Sequence, residues 1–371
     1  MNLQQRRDKV IAAMKEQGVD LLLGFHDNGH FIEKPNPVML LSHFKSIGDT
    51  VALLGIDGDL HLITSPAWEA ERVLERVPGA VATDDLVGEL GRALKARKVP
   101  GSRMAVAGLA SMPAAFELAV RNLIADGEPK GFDAVVLRET RRKTDEEIAR
   151  ARLAAVIAEK THEYMLEIVK PGMREDDLAA ELRWYTRSLG AEDNFFMMTS
   201  GPHSMAVQTP CGRVLEKGDL VIGELTPSYE GQMAQICRTV SLGPASEAVR
   251  TKYALLVHAM KKGIAQAKPG NRMSQVCNAI NAELEAEGYG QYCHPPHIKR
   301  RGHGLGFGSM MPGDVAPDND ILLEEDMFFA IHPNQYLPET GYMMCGEPTL
   351  ITASGAETLT RDIARLYEVA V

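Results

Sequence analysis

The chain has no C-x-x-C pair among its five cysteines, and an odd number cannot all pair with one another. Reduced thiols are therefore expected, which excludes a disulfide framework and a cysteine-built zinc module. Long apolar runs are also missing, since none approaches the roughly 20 residues that a membrane span requires. The opening Met1-Asn2-Leu3-Gln4-Gln5-Arg6-Arg7 leads into a polar helix pattern and not a signal-peptide core, so the expected location is cytoplasmic. Basic blocks are equally scarce. At a net charge of −10, with Lys299-Arg300-Arg301 as the densest run, the chain cannot lay down a phosphate footprint, which argues against a nucleic-acid partner.

What is present is the composition of a globular protein large enough for two domains, 371 residues with 24% charged. Residues 1–140 read as an α/β domain. Helix-spaced Val10, Ile11 and Met14 precede the apolar run Leu21-Leu22-Leu23, and Thr50–Leu54 returns through Asp57-Gly58 into Leu60–Ile63 as a hairpin. The loop His26-Asp27-Asn28-Gly29-His30 reads as a polar turn. At Thr144-Asp145-Glu146-Glu147 a capping box announces a long helix running to Ile168, and the domain boundary is placed just before it, giving a second domain over 141–371.

The second domain repeats itself. Lys170-Pro171-Gly172-Met173-Arg174 returns as Lys268-Pro269-Gly270-Asn271-Arg272, each followed by a helix pattern ending at a glycine, Gly190 and Gly288. Two similar helix-plus-sheet halves about a pseudo-two-fold axis are predicted, with a site where the sheets meet.

Four segments set polar residues among apolar neighbours. Gly218–Thr226 and Gln232–Thr239 read as a hairpin turning between Tyr229 and Glu230, which sets Glu224 across from Gln235. Gly302-His303-Gly304-Leu305-Gly306 frees the surroundings of one imidazole, Met327–His332 is a strand pattern ending in His332, and Glu347 begins another strand. Together they offer two carboxylates, two imidazoles and an amide, a donor set suited to zinc, iron or manganese. Each residue alone reads as a hydrogen-bonded core group, so the case rests on their convergence.

The order of these segments, with Ser200-Gly201, the C-R-T of Cys237-Arg238-Thr239, the two K-P-G turns, G-H-G-L-G and the closing Ile351–Thr360, resembles the creatinase, prolidase and aminopeptidase P family. The resemblance covers nearly the whole chain. It implies a creatinase-like N-terminal α/β domain, a C-terminal pita-bread domain with the active site, and a homodimer. The peptidases of that family hold two metal ions with Asp, Asp, His, Glu and Glu, which fall here on Glu224, Gln235, His303, His332 and Glu347. Only His303 and Glu347 keep the family's residue type. A neutral amide at a bridging position cannot hold two dications close, so one divalent ion on Glu224, His303, His332 and Glu347, or none, is expected. Two further family histidines fall on Gln208 and Met310, which with Arg238 become substrate-binding candidates, while His203 is a substitute proton carrier and His294 and His297 are weaker ones.

These readings lead to a hydrolase acting on a C–N bond of a small nitrogen-containing metabolite, with Glu347, His303, His332 and His203 as catalytic candidates. The alternatives are a non-catalytic binding protein of the same fold, a lyase acting on a small zwitterion, and a metal-dependent Xaa-Pro peptidase.

Overall fold

The computed structural model describes the chain apart from residues 28–35, 125 and 307–310. It divides into two compact units, one over Met1–Asp145 and one over Glu146–Gly306 with Pro312–Val371.

The first unit runs α1 (Leu3–Glu16), β1 (Leu21–His26), α2 (Pro37–Ser42), β2 (Thr50–Gly55), β3 (Leu60–Thr64), α3 (Ala70–Arg76), β4 (Val81–Ala82), α4 (Leu86–Arg97), β5 (Met104–Ala107), α5 (Ala114–Leu123), β6 (Lys130–Gly131) and α6 (Asp133–Thr140). Its sheet has the order β4-β3-β2-β1-β5-β6, with β1 antiparallel to β2 and parallel to β5. Alternation along β1 explains the unbroken leucine run: Leu22 packs towards α1 and α6, and Leu21, Leu23 and Phe25 pack towards α4 and α5. His26 ends β1 as a buried residue; the remainder of the expected turn, apart from Asp27, lies outside the described residues.

The second unit begins with α7 (Asp145–Ile168), which starts immediately after Thr144. It continues through α8 (Glu175–Ser188), β7 (Asp193–Gly201), β8 (Leu220–Tyr229), β9 (Gln232–Met233), β10 (Ile236–Leu242), α9 (Glu247–Gln266), α10 (Met273–Ala286), β11 (Gly302–Gly304), β12 (Phe328–Ile331), β13 (Gln335–Leu337), β14 (Gly341–Met343), β15 (Glu347–Thr352), β16 (Gly355–Thr358) and β17 (Tyr367–Val369).

The K-P-G repeat is a repeat of structure down to single hydrogen bonds. Gly172 N donates to Leu215 O at 2.9 Å and Gly270 N to Leu323 O at 3.0 Å, while Leu215 N donates to Met173 O and Leu323 N to Asn271 O, both at 2.8 Å. Both turn glycines need the left-handed region, with φ of 89° and 88°. Each loop then launches its helix, α8 or α10.

The helices cover one side of each half-sheet. Ala158, Met165, Leu178 and Leu182 of α7 and α8 pack on Val221, Leu225, Ile236 and Val240 of β8 and β10. Leu256, Met260, Val276 and Ile280 of α9 and α10 cluster with Phe329 and Ile331 of β12 and Ile351 of β15. The half-sheets join where Cys237 and Gly346 exchange two backbone hydrogen bonds, each 3.1 Å long.

Candidate functional site

The β8–β10 hairpin turns one residue later than its sequence suggests. Ser228 pairs with Met233 and Tyr229 with Gln232, so Glu230 and Gly231 form a two-residue turn. Their φ values, 44° and 82°, are both positive, the requirement of a turn that matches strand twist. The register moves by two, and Glu224 faces Cys237 instead of Gln235. An even shift preserves the face. Gln235 therefore remains a diagonal neighbour, donating from Nε2 to Glu224 Oε2 at 3.3 Å while its Oε1 accepts from the Thr226 hydroxyl at 3.1 Å.

Pairing across the join defines one polar row. Glu224 lies opposite Cys237, and Cys237 opposite Gly346. Pairing of Ile331 with Glu347 sets His332 beside Gly346, and pairing of Ala330 with both His303 and Pro348 puts His303 on the same face as His332. The two imidazoles are buried, with ring centroids 5.4 Å apart at 66°. His303 Nδ1 is 3.0 Å from Gly304 O, whereas His332 Nδ1 is buried without a hydrogen-bond partner.

The electrostatics of the row favour neutral groups. Burial raises the Glu224 pKa to about 7, opposed by the field of Arg300. Burial, followed by the neighbouring His303, pushes His332 well below its ordinary value. The Cys237 thiol is raised, first by burial and then by Glu224, which makes it a poor nucleophile. Asn334, which sequence reasoning did not single out, fixes this corner: its Nδ2 lies 3.7 Å from Cys237 Sγ and its Oδ1 accepts from Cys345 N at 3.0 Å.

Glu347 is not part of the row. Strand alternation turns it to the opposite, helix-side face together with Arg238, and residue 346 is the one presented to Glu224 and His332. Arg238 Nη1 stands 3.1 Å from Glu347 Oε1, which also accepts from Ala364 N at 2.6 Å, while Oε2 accepts from Thr360 Oγ1 at 2.5 Å. Burial works against the Arg238 charge, but Glu347 leaves the pKa raised overall. The expected convergence of Glu347 with the imidazoles, and the substrate-binding place of Arg238, are corrected accordingly: the two form a buried ion pair behind the sheet.

The other candidates lie apart from this row. His203 is exposed, bonded through Nε2 to Pro338 O at 2.9 Å and edge-on to Tyr336 at 5.7 Å. Gln208 is exposed, and its backbone carbonyl accepts from Met198 N. His297 is an exposed ring beside Tyr292 at 4.9 Å, His294 lies 3.9 Å from Glu285, and Met310 lies outside the described residues.

The family's two-metal centre does not fit this geometry. Among the described residues no group of three or more His, Cys, Asp or Glu side chains is placed to hold an ion. Gln235 presents amide protons towards Glu224, Glu347 is spent on Arg238, and the position facing the row has no side chain.

Comparison with known proteins supplies the lineage. Residues 149–353 match metallopeptidase family M24. The chain is 32% identical over 227 residues to the uncharacterized peptidase YqhT of Bacillus subtilis, a match spanning 59% of this chain and 62%, less than two thirds, of the relative. It is 27% identical over 369 residues to the Xaa-Pro dipeptidase of Pyrococcus furiosus, covering 97% of this chain and 98% of that one. Among solved structures, the prolidase from Pyrococcus horikoshii superposes with a TM-score of 0.84 at 23% identity, covering 97% of this chain and 99% of that chain. The X-Pro aminopeptidase from Thermotoga maritima does so at 0.83 and 21%, covering 98% and 99%. The fold over nearly the full chain is thus the pita-bread fold of prolidase and aminopeptidase P, and with its match spanning more than half of the sequence the protein belongs to metallopeptidase family M24, a family of hydrolases.

Proposed function

We propose that this chain hydrolyses a C–N bond in a small nitrogen-containing metabolite and is not a standard X-Pro peptidase. The observation that carries this reading is the unpartnered Nδ1 of buried His332, set in one row with the Glu224 carboxylate. A buried polar atom without a protein partner is available to a ligand or to water. In this reading His332 takes a proton from the attacking water, the hydroxyl bonds to the substrate carbon, and the imidazolium returns the proton to the leaving nitrogen as the C–N bond breaks. Glu224, aligned by the Gln235 amide, accepts hydrogen bonds from the substrate or holds its positive charge, and His303 supports the second imidazole face. The chain acts in the cytoplasm, as the sequence pattern leads one to expect, and as a homodimer, as the family resemblance implies; light scattering at the mass of a monomer would remove the homodimer.

The test is a panel of amides, ureas and amidines assayed for amine release beside Ala-Pro and Gly-Pro, with the product's oxygen traced in heavy-oxygen water. Oxygen incorporation separates hydrolysis from a lyase reaction. His332→Gln is expected to lower kcat by about 10²–10⁴-fold. Ordinary rates on X-Pro dipeptides would overturn the reading. A second reading, a non-catalytic ligand-binding protein, is favoured by the lack, among the described residues, of a group of three metal-ligating side chains. It predicts saturable ligand binding that leaves the ligand intact.

A further inference from the structure

Gly346 is the residue that the start of β15 presents to Glu224, Cys237 and His332. A Cβ added there would stand 2.5 Å from His332 Cβ and 3.1 Å from both Cβ and Sγ of Cys237. The closest of these is the root atom of a side chain, so no flexible tip can swing aside. The backbone cannot retreat easily either, because Gly346 exchanges both of its hydrogen bonds with Cys237. Any side chain at 346 would therefore crowd the roots of residues 332 and 237, and this chain has no side chain at 346 to offer an ion.

The neighbouring amide works in the same direction. The Gln235 NH₂ donates to Glu224 Oε2, and the amide oxygen turns away to accept from the Thr226 hydroxyl. The site thus receives the positive end of that dipole. Glu347 is directed to the far face and held by Arg238, Thr360 and Ala364, and Asp314, which pairs opposite His303, is taken by Arg300 Nη1 at 2.7 Å. One carboxylate then remains in the row, too little anionic charge for two dications.

We infer that this site works without a resident metal ion, and that the amide of Gln235 and the missing side chain at Gly346 are what close it to one. The inference builds on reading the row as the reaction site, but it is tested by metal binding and packing, which do not depend on turnover. Protein purified without added metal is analysed for elements, then titrated calorimetrically with manganese, cobalt and zinc salts. Far less than one ion per chain and no saturable binding abolished by Glu224→Gln are expected. A chain in which Gln235→Asp and His332→Glu are combined, which adds two carboxylates without a Cβ at 346, is expected to bind an ion saturably. Should that chain not fold, Gly346→Ala is compared in the natural sequence and in a His332→Gly background, which removes the Cβ that the new methyl would meet. A drop in Tm in the first that is recovered in the second is expected. A stoichiometric ion that the natural protein retains and loses on Glu224→Gln overturns the inference, as does a folded double variant that takes up no ion, or an equal Tm loss in both backgrounds. An ion that survives both Glu224→Gln and His332→Gln sits elsewhere and leaves the inference standing, whereas one lost on His332→Gln also overturns it. Absence of turnover alone would remove the proposed reaction and not these binding results.

Discussion

Glu224 and Glu347 are both acidic strand residues, yet their substitution is expected to have opposite consequences. Glu347 is fully buried against Arg238, and Glu347→Gln leaves that guanidinium without its counter-charge, a loss of about 3–5 kcal/mol of stability in urea unfolding. Glu224→Gln removes a half-buried carboxylate whose ionisation the fold disfavours, so stability is expected to hold or rise while turnover of the true substrate is lost. Equal stability losses for the two variants would contradict the assignment of faces. The sequence made the donor types in the row visible, because glutamate, glutamine and histidine stand out among apolar neighbours. It did not make the face of Glu347 visible, since a one-residue offset at the start of a strand reverses every side chain and Gly346 carries no chemical signal of its own.

At the scale of elements, the long helix from Asp145, the β2–β3 hairpin and the repeated loop-helix starts were legible because each has a local cause: a cap, a turn pair, a glycine stop. The β8–β10 register was not. Both candidate turns lie within Tyr229-Glu230-Gly231, both leave Glu224 and Gln235 on one face, and the choice fell on the turn that uses glycine as its second central residue, at the cost of a glutamate in the left-handed region. An ion pair of the exposed Glu230, through Oε2, with Nε of the buried Arg150 at 2.9 Å accompanies that conformation. Gly231→Ala, at φ 82°, is expected to cost about 1 kcal/mol by thermal unfolding without changing ligand binding. A neutral result would mean that the turn is not set by Gly231.

For the molecule as a whole, His162 sets an acid limit. It is buried on α7 with both ring nitrogens unpartnered, edge-on to Tyr367 at 4.6 Å and facing the Arg238 charge that Glu347 balances. Burial, then Arg238, lowers its pKa to about 3. Below the ordinary histidine value near 6.5 the unfolded chain takes up a proton that the folded chain refuses, so stability falls as pH drops from about 6.5 towards 3, by up to about 4–5 kcal/mol. His162→Leu is expected to flatten that slope in pH-dependent urea unfolding, and an unchanged slope would exclude the residue as its source.

The paired 3.1 Å hydrogen bonds between Cys237 and Gly346 have a consequence for measurement. They lie inside the row of site residues and also at the seam between the repeated halves, so any opening of the halves frees both amides at once and dismantles the site. The deuterium uptake of these two amides is therefore a direct gauge of how often the reaction site ceases to exist. A bound ligand spanning Glu224 and His332 should slow both amides by the same factor.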